Sequence, residues 1–508
     1  MQTFAAIDIG SNSCRLKIGR VVRHRLRTIH EDREVTRLGG SVFESGIVSP
    51  ESMTATLRTL KRFHKAVQTY GVDRVRAVAT SAIRDARNSR AFLAWVHDET
   101  GWEVEVISGL EEGRLIHRGV VENEPGAGGR CVLVDIGGGS CEITLSEHKR
   151  IHETISLPLG AVRLTQEFVR SEVPGKDEIH RLRQFIDREL RRARRRIHPD
   201  RVRLVIGTSG TAAALSDAGR ALGKGRGKND ALIPTNTVRR LTSKLTKMKI
   251  GERSGVPGIG PKRAEIIIAG SHVLAEILEA FGLPGFRYSP MGLRDGILAQ
   301  MLAEQDPRAS AHQEFERERW QAVEEACRRY GVDPRTAEPV RQHAAQLFHD
   351  LTAVHELPDE YQTWLQAAAM LRDIGKFLNH QGYHRHAQYI IANSELYGFT
   401  PQQRVVTSAI ARYLGKSRPA PEGRTMRQVP PDEYEHVRRA VVLLRLAVAL
   451  NQDRASDVLK VRVRAYPKRV MLELLPGRTG AELELWSLRK EADYFREVFG
   501  RDLFVALA

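Results

Sequence analysis

Cysteine is scarce in this chain: Cys14, Cys131, Cys141 and Cys327 are its only four, and no two are spaced as Cys-x-x-Cys. That argues against both a zinc site and a disulfide framework. No uninterrupted apolar run is long enough to span a bilayer, and no charged-then-apolar leader precedes the first strand-like segment. A reduced, cytoplasmic, non-membrane setting is therefore expected. Acidic side chains are also in deficit: 62 Asp and Glu stand against 79 Lys and Arg, leaving a formal charge of +17. Such an excess suits a polyanionic partner, whether nucleic acid, nucleotide or inorganic polyphosphate, and equally suits a protein from an Arg-rich proteome. A length of 508 residues predicts three or four domains.

What the chain does have is one loop used twice. Asp8-Ile9-Gly10-Ser11-Asn12-Ser13-Cys14 recurs as Asp135-Ile136-Gly137-Gly138-Gly139-Ser140-Cys141, each after an apolar run (Phe4-Ala5-Ala6-Ile7 and Cys131-Val132-Leu133-Val134). Alternation resumes after each loop, at Leu16 and Ile18 and at Ile143 and Leu145, so both copies read as β-hairpins. Small residues let the backbone bend and aim its N–H groups at one point, which makes a cradle for phosphate. The leading aspartates are placed to hold a divalent cation or its waters. Two such hairpins facing across a cleft would grip a phosphate chain from both sides.

Around them, residues 1–122 alternate helical patterns (50–70, 89–100) with strands (74–80, 102–107), and 122–129 is a Gly/Pro-rich connection. Residues 123–303 repeat the scheme, so the two segments are expected to be halves of one duplicated α/β fold. Long amphipathic helical patterns then fill 304–458, and 459–508 reads as a small α+β cap with a hairpin around Pro467-Lys468.

Two further loops suit phosphate. Gly207-Thr208-Ser209-Gly210-Thr211 follows the strand Leu204-Val205-Ile206 and opens a helix, which aims a helix N-terminus at an anion. Thr80-Ser81-Ala82-Ile83-Arg84 adds hydroxyls and a guanidinium. The candidate acids are Asp8, Asp135 and Glu142, the last at the start of a return strand, with Glu111-Glu112 opening a helix after Ser108-Gly109. Glu112 is the candidate general base, since no His or Cys competes. Residue physics alone leaves a second reading open, in which both glutamates simply favour a helix N-terminus.

DIGSNS, TSAIR, SGLEEGRL, DIGGGSCE, PLGAVRL, GTSGT and GLRDGIL fall in the order found in the exopolyphosphatase / guanosine pentaphosphate phosphohydrolase (Ppx/GppA) family, and the chain resembles that family closely over 1–303 and loosely beyond. The resemblance implies a duplicated acetate-kinase/Hsp70/actin-like (ribonuclease H-like) fold followed by an all-α HD-like domain. It implies Glu112 as base for the attacking water and Asp8, Asp135 and Glu142 as holders of Mg2+ or a related cation. It further implies substrate contacts from Gly10, Ser11, Asn12, Ser13, Arg84, Gly137, Gly138, Gly139, Ser140, Gly207, Ser209, Gly210, Thr211 and Arg263. The expected activity is removal of terminal phosphate from inorganic polyphosphate. The alternatives are hydrolysis of guanosine pentaphosphate (pppGpp) and a catalytically idle polyphosphate or alarmone (pppGpp/ppGpp) sensor. A homodimer is expected by resemblance only. Departures are mild: Gly113 stands where Ala is usual, and Cys141 where Thr is common.

An active HD site needs His, His-Asp and a distal Asp. His343 and Asp373 are in place, whereas Arg372, Val448 and Leu414 stand where a His, the distal Asp and another His belong. A metal-free domain with a binding or structural role is expected. Its basic residues (Arg372, Lys376, His380, His384, Arg385, His386, Arg412, Lys416, Arg418) form a candidate polyanion tract. Two features suggest nucleic acid but are read otherwise. Val256–Ala264 looks like a helix-hairpin-helix turn and is taken as a helix start with Arg263 near the cleft. The Arg-rich run 181–203 carries Leu182, Phe185, Ile186, Leu190 and Ile197 at near-helical spacing and reads as an amphipathic surface helix.

Overall fold

The computed structural model describes residues 2–124, 126–202, 204–222, 232–309, 311–415, 417–452, 458–476 and 480–508. The chain divides into two compact units, Met1–Gln313 and Glu314–Ala508.

The first unit holds two sheets built to one plan. In the first, β1 (Thr3–Ile9) turns into antiparallel β2 (Cys14–Val22) and β3 (Arg25–Glu34), and pairs on its other side with parallel β4 (Arg74–Ala79), then β5 (Val104–Val106). In the second, β6 (Cys131–Ile136) turns into β7 (Cys141–Glu147) and β8 (Arg150–Leu157) and pairs with parallel β9 (Leu204–Thr208). Beyond β9 lie β11 (Gly285–Tyr288) and the edge strand β10 (Leu232–Pro234). The central strands are buried on both faces, which is why β1 and β6 read as unbroken apolar runs. The duplication expected from the repeated loop is thus present in five strands of each sheet, and β10 has no counterpart in the first.

Helix Gly109–Val121 joins the halves. Its Leu115 packs with Phe4, Ala6 and Val78 of the first sheet, while Ile116 and Val120 pack with Cys131, Leu133 and Ile206 of the second. Helix Leu293–Gln305 crosses it at glycines: a Cβ on Gly296 would stand 1.7 Å from the Leu115 carbonyl oxygen, and one on Gly119 would stand 2.4 Å from that of Gly292. The sequence boundary at 303 assigned this second helix to the second half. Instead it returns to the first, where Ile297, Leu298 and Met301 join the core around Phe4.

Local signals explain the helix starts. Ser49 caps Pro50–Thr69 with Pro50 at its first position, and Ser108 accepts from the Glu111 N–H at 3.1 Å to cap Gly109–Val121. Residues 256–266 are a series of turns, with Gly258 and Gly260 at positive φ, and the helix begins only at Ile267. That corrects the expected helix start near Arg263. The Arg-rich run is the amphipathic helix Lys176–Arg194, with Leu182, Ile186 and Leu190 inward. Several of its arginines are neutralised, including Arg183 by Glu276 at 2.6 Å and Arg192 by Glu189 at 2.9 Å. Arg203 lies outside the described residues.

The second unit is mainly helical, and ends in a three-stranded sheet of β12 (Lys460–Ala465), β13 (Arg469–Leu475) and β14 (Asp502–Leu507) with helix Glu482–Phe499. These elements share one core with the preceding helices: Val470, Leu472, Leu488 and Phe495 pack with the residues of Glu360–Leu371 and Tyr434–Ala449. The α+β cap expected at 459–508 is present as secondary structure, but it has no core of its own. Among the described residues, no helix is long and apolar enough to cross a membrane.

Candidate active site

Both repeated loops sit at the carboxyl ends of central strands, where α/β sheets place ligands. They line one cavity of about 420 Å3, together with Asp8, Glu112, Asp135, Ser209, Gly210 and Arg263.

The loops are braced alike. Gly10 N–H donates to Ser13 O at 3.2 Å and Gly137 N–H to Ser140 O at 3.0 Å, closing each turn. In the first loop, Ser11 O accepts from Gly39 N–H (2.7 Å) and Asn12 O from Thr36 and Arg37 N–H (3.2 and 3.1 Å). In the second, Gly137 O accepts from Ala161 N–H (3.0 Å) and Gly138 O from Val162 and Arg163 N–H (2.8 and 3.0 Å). The Gly139 carbonyl accepts from Arg163 Nε at 2.7 Å. A trans peptide points its N–H opposite its C=O. With the carbonyls turned into the protein, the N–H groups of Asn12, Ser13, Gly138, Gly139 and Ser140 are left without a partner among the described residues, as a phosphate cradle requires. The loops also touch: a Cβ on Gly138 would stand 2.8 Å from Ser11 Cβ, and Ser11 Oγ lies 2.9 Å from Ser81 Oγ.

Four carboxylates converge. Glu112 is buried at the first turn of its helix, and its Oε2 has no hydrogen-bond partner. Arg84 Nη1 stands 4.0 Å from that oxygen, too far for a hydrogen bond, and donates instead to Ile107 O at 2.7 Å. Burial, then the charges of Glu142 and Asp135, raise the Glu112 pKa well above the carboxylate range, and Arg84 opposes them. Glu142 is held by Ser156 Oγ at 2.7 Å on one oxygen, and its other oxygen is buried and unpartnered. Burial and the nearby Asp135 push its pKa up to about 8. Asp135 accepts from Thr208 Oγ1, and burial raises its pKa to about 6. Asp8 is raised by burial against the pull of Arg15, Arg294 and Arg33, and its Oδ1 is a further orphan. Buried carboxylate oxygens without donors suit a hard cation. Among the described residues, no three His, Cys, Asp or Glu side chains are grouped closely enough to cage a metal alone. A cation here would draw its remaining ligands from water and phosphate, as magnesium does.

Some sequence candidates also have packing positions. Gly207 is pressed between Phe286 and Ala212, Thr211 is buried against Gly270, and a Cβ on Gly139 would meet Ser81 Oγ at 2.3 Å. None of the three lines the cavity, nor do Arg84 and Glu142. Ser209 and Gly210 do. Ser209 adopts the left-handed φ of 67°, held by its Oγ donating to Ile136 O (2.9 Å) and accepting from Gly210 N–H (2.7 Å). Gly210 is glycine for a direct reason: a Cβ would fall 1.8 Å from an Arg263 guanidinium nitrogen. Burial lowers that guanidinium to about 10, and neighbouring Arg33 and Arg15 add to the effect.

Sequence reasoning missed Arg15, Arg33, Tyr288 and Arg294, all of which line the cavity. Arg15 lies opposite Asp8 in the hairpin and opposite Arg33 on the next strand. Counting outward from the loop would have found it. Arg294 donates to Leu16 O at 2.9 Å, next to the pair Lys17–Asp295 at 2.6 Å. Arg15, Arg33 and Arg263 have no carboxylate partner among the described residues, so their charge is available to an anion.

In the second unit His343 is fully buried, both ring nitrogens lack a partner, and burial lowers its pKa to about 4. Asp373 pairs with Lys376 at 2.7 Å, while Val448 and Leu414 pack against the apolar core. The basic tract is partly neutralised: Arg372 is buried beside Asp373, and Arg418 pairs with Glu497. His384 gathers with Lys376 and Arg412, and burial brings its pKa to about 4. Lys416 lies outside the described residues.

The chain matches the family model described as Ppx/GppA phosphatase family over residues 17–305, and that of Ppx/GppA phosphatase domain III over 318–492. Among solved structures it is similar to an exopolyphosphatase from Cytophaga hutchinsonii (26% identity, 60% of this chain and 98% of that one, TM-score 0.56). It is also similar to the Aquifex aeolicus member of the Ppx/GppA family (31% identity, 60% of this chain and 99% of that one, TM-score 0.51). On the family match over 17–305, more than half of its length, the chain belongs to the Ppx/GppA phosphatase family.

Proposed function

We propose that the protein is an exopolyphosphatase, releasing terminal orthophosphate from inorganic polyphosphate. The observation that carries this reading is the composition of one cavity: loop amides on both sides, a buried Glu112 with a free oxygen, and three guanidiniums without carboxylate partners among the described residues. Phosphoryl transfer to water needs those parts, namely donors for the phosphate oxygens, positive charge, and a carboxylate to orient the water. The amides of Asn12, Ser13, Gly138, Gly139 and Ser140 bind the terminal phosphate, Arg15, Arg33 and Arg263 hold the phosphates behind it, and Glu112 accepts the proton of the attacking water. Burial and the neighbouring Glu142 and Asp135 raise the pKa of Glu112, which makes it a stronger base than an exposed carboxylate. Asp8, Asp135 and Glu142 would hold magnesium, which supplies charge neutralisation to the phosphate oxygens.

A second reading, hydrolysis of guanosine pentaphosphate, draws on a chamber of about 260 Å3 lined in part by Val35, Ala213, Ala214 and Ile259, with Arg33 and Arg263. Its apolar wall suits a nucleobase. Both readings are tested by phosphate release from long-chain polyphosphate and from guanosine pentaphosphate, with magnesium, for the wild type and Glu112→Gln. Preferential polyphosphate turnover that collapses in the mutant supports the proposal. Preferential pentaphosphate turnover assigns the protein to the second reading, and binding of both without turnover makes it a sensor. A homodimer, the assembly proposed with this activity, is checked by light scattering.

A further inference from the structure

Arg163 has no assigned role, although it stands in the PLGAVRL stretch, and its side chain makes an unusual set of contacts. Its Nε donates to Gly139 O at 2.7 Å, its Nη2 to Asp85 Oδ2 at 2.5 Å, and its guanidinium lies 4.1 Å from the centre of the Phe43 ring. Gly139 belongs to the second phosphate loop. Asp85 and Phe43 belong to the opposite half of the fold, and Asp85 directly follows Arg84, the guanidinium that faces Glu112.

The other loop carbonyls are taken up by backbone amides, Gly137 O and Gly138 O by residues 161–163, and Ser11 O and Asn12 O by residues 36–39. Within 10–13 and 137–140, Gly139 O is the carbonyl that relies on a side chain among the described residues. The Arg163 bond is the one hydrogen bond made to the Gly139 carbonyl among the described residues, and it holds the Gly139–Ser140 peptide with that oxygen turned away from the cavity. With the carbonyl held outward, the Ser140 N–H faces the cavity. We infer that Arg163 is a positioning residue for phosphate hydrolysis, fixing the Ser140 N–H toward the bound phosphate and tying that loop to the Arg84–Glu112 side through Asp85 and Phe43. It does so without touching the substrate, since it is absent from the cavity wall.

The inference rests on the proposed phosphate site but not on which polyphosphate fills it. Full-length wild type, Arg163→Met, Arg163→Lys and Asp85→Asn are compared for kcat, KM and melting temperature. The assays use polyphosphate or guanosine pentaphosphate, whichever the wild type turns over. Wild-type failure on one substrate thus bears on the functional reading alone, and the variant-to-wild-type ratio bears on Arg163. Methionine keeps the packing on Phe43 and loses both hydrogen bonds. Loss of one preorganised donor in such a site costs ~100- to 1000-fold, and loss of its orientation alone is expected to cost about 10- to 100-fold. The loss should lie in kcat, with KM within about threefold and the melting temperature held. Lysine reaches Gly139 O but not Asp85 as well, so it should recover part of the loss. Unchanged kcat in both Arg163 variants overturns the inference, as does a loss matched by the unfolded fraction. If the methionine variant does not fold, Arg163→Lys and Asp85→Asn are read by the same criterion: lowered kcat at preserved folding supports the inference, and unchanged kcat overturns it.

Discussion

The two hairpins of the first unit have the same strand order, turn closure and bracing, but opposite chemistry at one equivalent position. Opposite Asp8 stands Arg15, and opposite Asp135 stands Glu142. The first half therefore offers cations, Arg15 with Arg33 across the next strand, and the second offers a pair of buried acids. In the proposed function, one duplicated frame adds guanidiniums for phosphate on its first side and a second buried acid for the cation on its other side. A cross-strand position suffices for this because opposed side chains lie about 5 Å apart and act on the same point.

The largest expected effect removes the group both sides serve. Glu112→Gln should lower kcat by about 10²–10⁴-fold with little change in KM, read by phosphate release. Next, the acid side is broken by Glu142→Gln. Magnesium titration of activity should then show a midpoint raised by about tenfold or more, with partial recovery at saturating magnesium. An unchanged midpoint would place the cation elsewhere. On the cation side, Arg15→Met should raise KM by about tenfold and leave kcat nearly intact, because its charge holds phosphates in ground and transition state alike.

The smallest effect is on stability. Burial raises Asp135 from 3.8 to about 6 and Glu142 from 4.5 to about 8, so the folded protein binds more protons than the unfolded chain between those values. Their contribution is full at pH below 4 and is lost as pH rises through 6 to 8. The metal-free melting temperature should therefore fall across that window, less steeply in Glu142→Gln, and magnesium should restore it at the alkaline end. Thermal melts from pH 5 to 8 with and without magnesium read this, and a melting temperature rising with pH would refute it.

Much of the site was legible in residue order. Asp8, Asp135, both loops and the Ser108-capped start of the Glu112 helix are local patterns, and local patterns survive without the fold. That Gly207, Thr211 and Gly139 are also packing positions was not legible, because a small residue beside a phosphate loop looks the same whether or not it packs against Phe286, Gly270 or Ser81. Arg294 sat within a quoted motif and still received no role, since its approach to the cavity depends on helix Leu293–Gln305 returning to the first sheet. In the second unit Arg372, Val448 and Leu414 are read directly from the sequence, and the structure adds that the last two pack against the apolar core. That the terminal sheet shares the helical core was not legible, because apolar alternation in β13 does not say what it will cover.

By itself the sequence determined the duplicated hairpins, the acids at their ends and the excess of positive charge, all of them properties of spacing and composition. The tertiary structure alone decided that three guanidiniums line the cavity without carboxylate partners among the described residues, that Arg163 reaches the Gly139 carbonyl, and that Glu112 is buried with a raised pKa. Those outcomes depend on distance and desolvation between segments far apart in the chain, which no local pattern encodes.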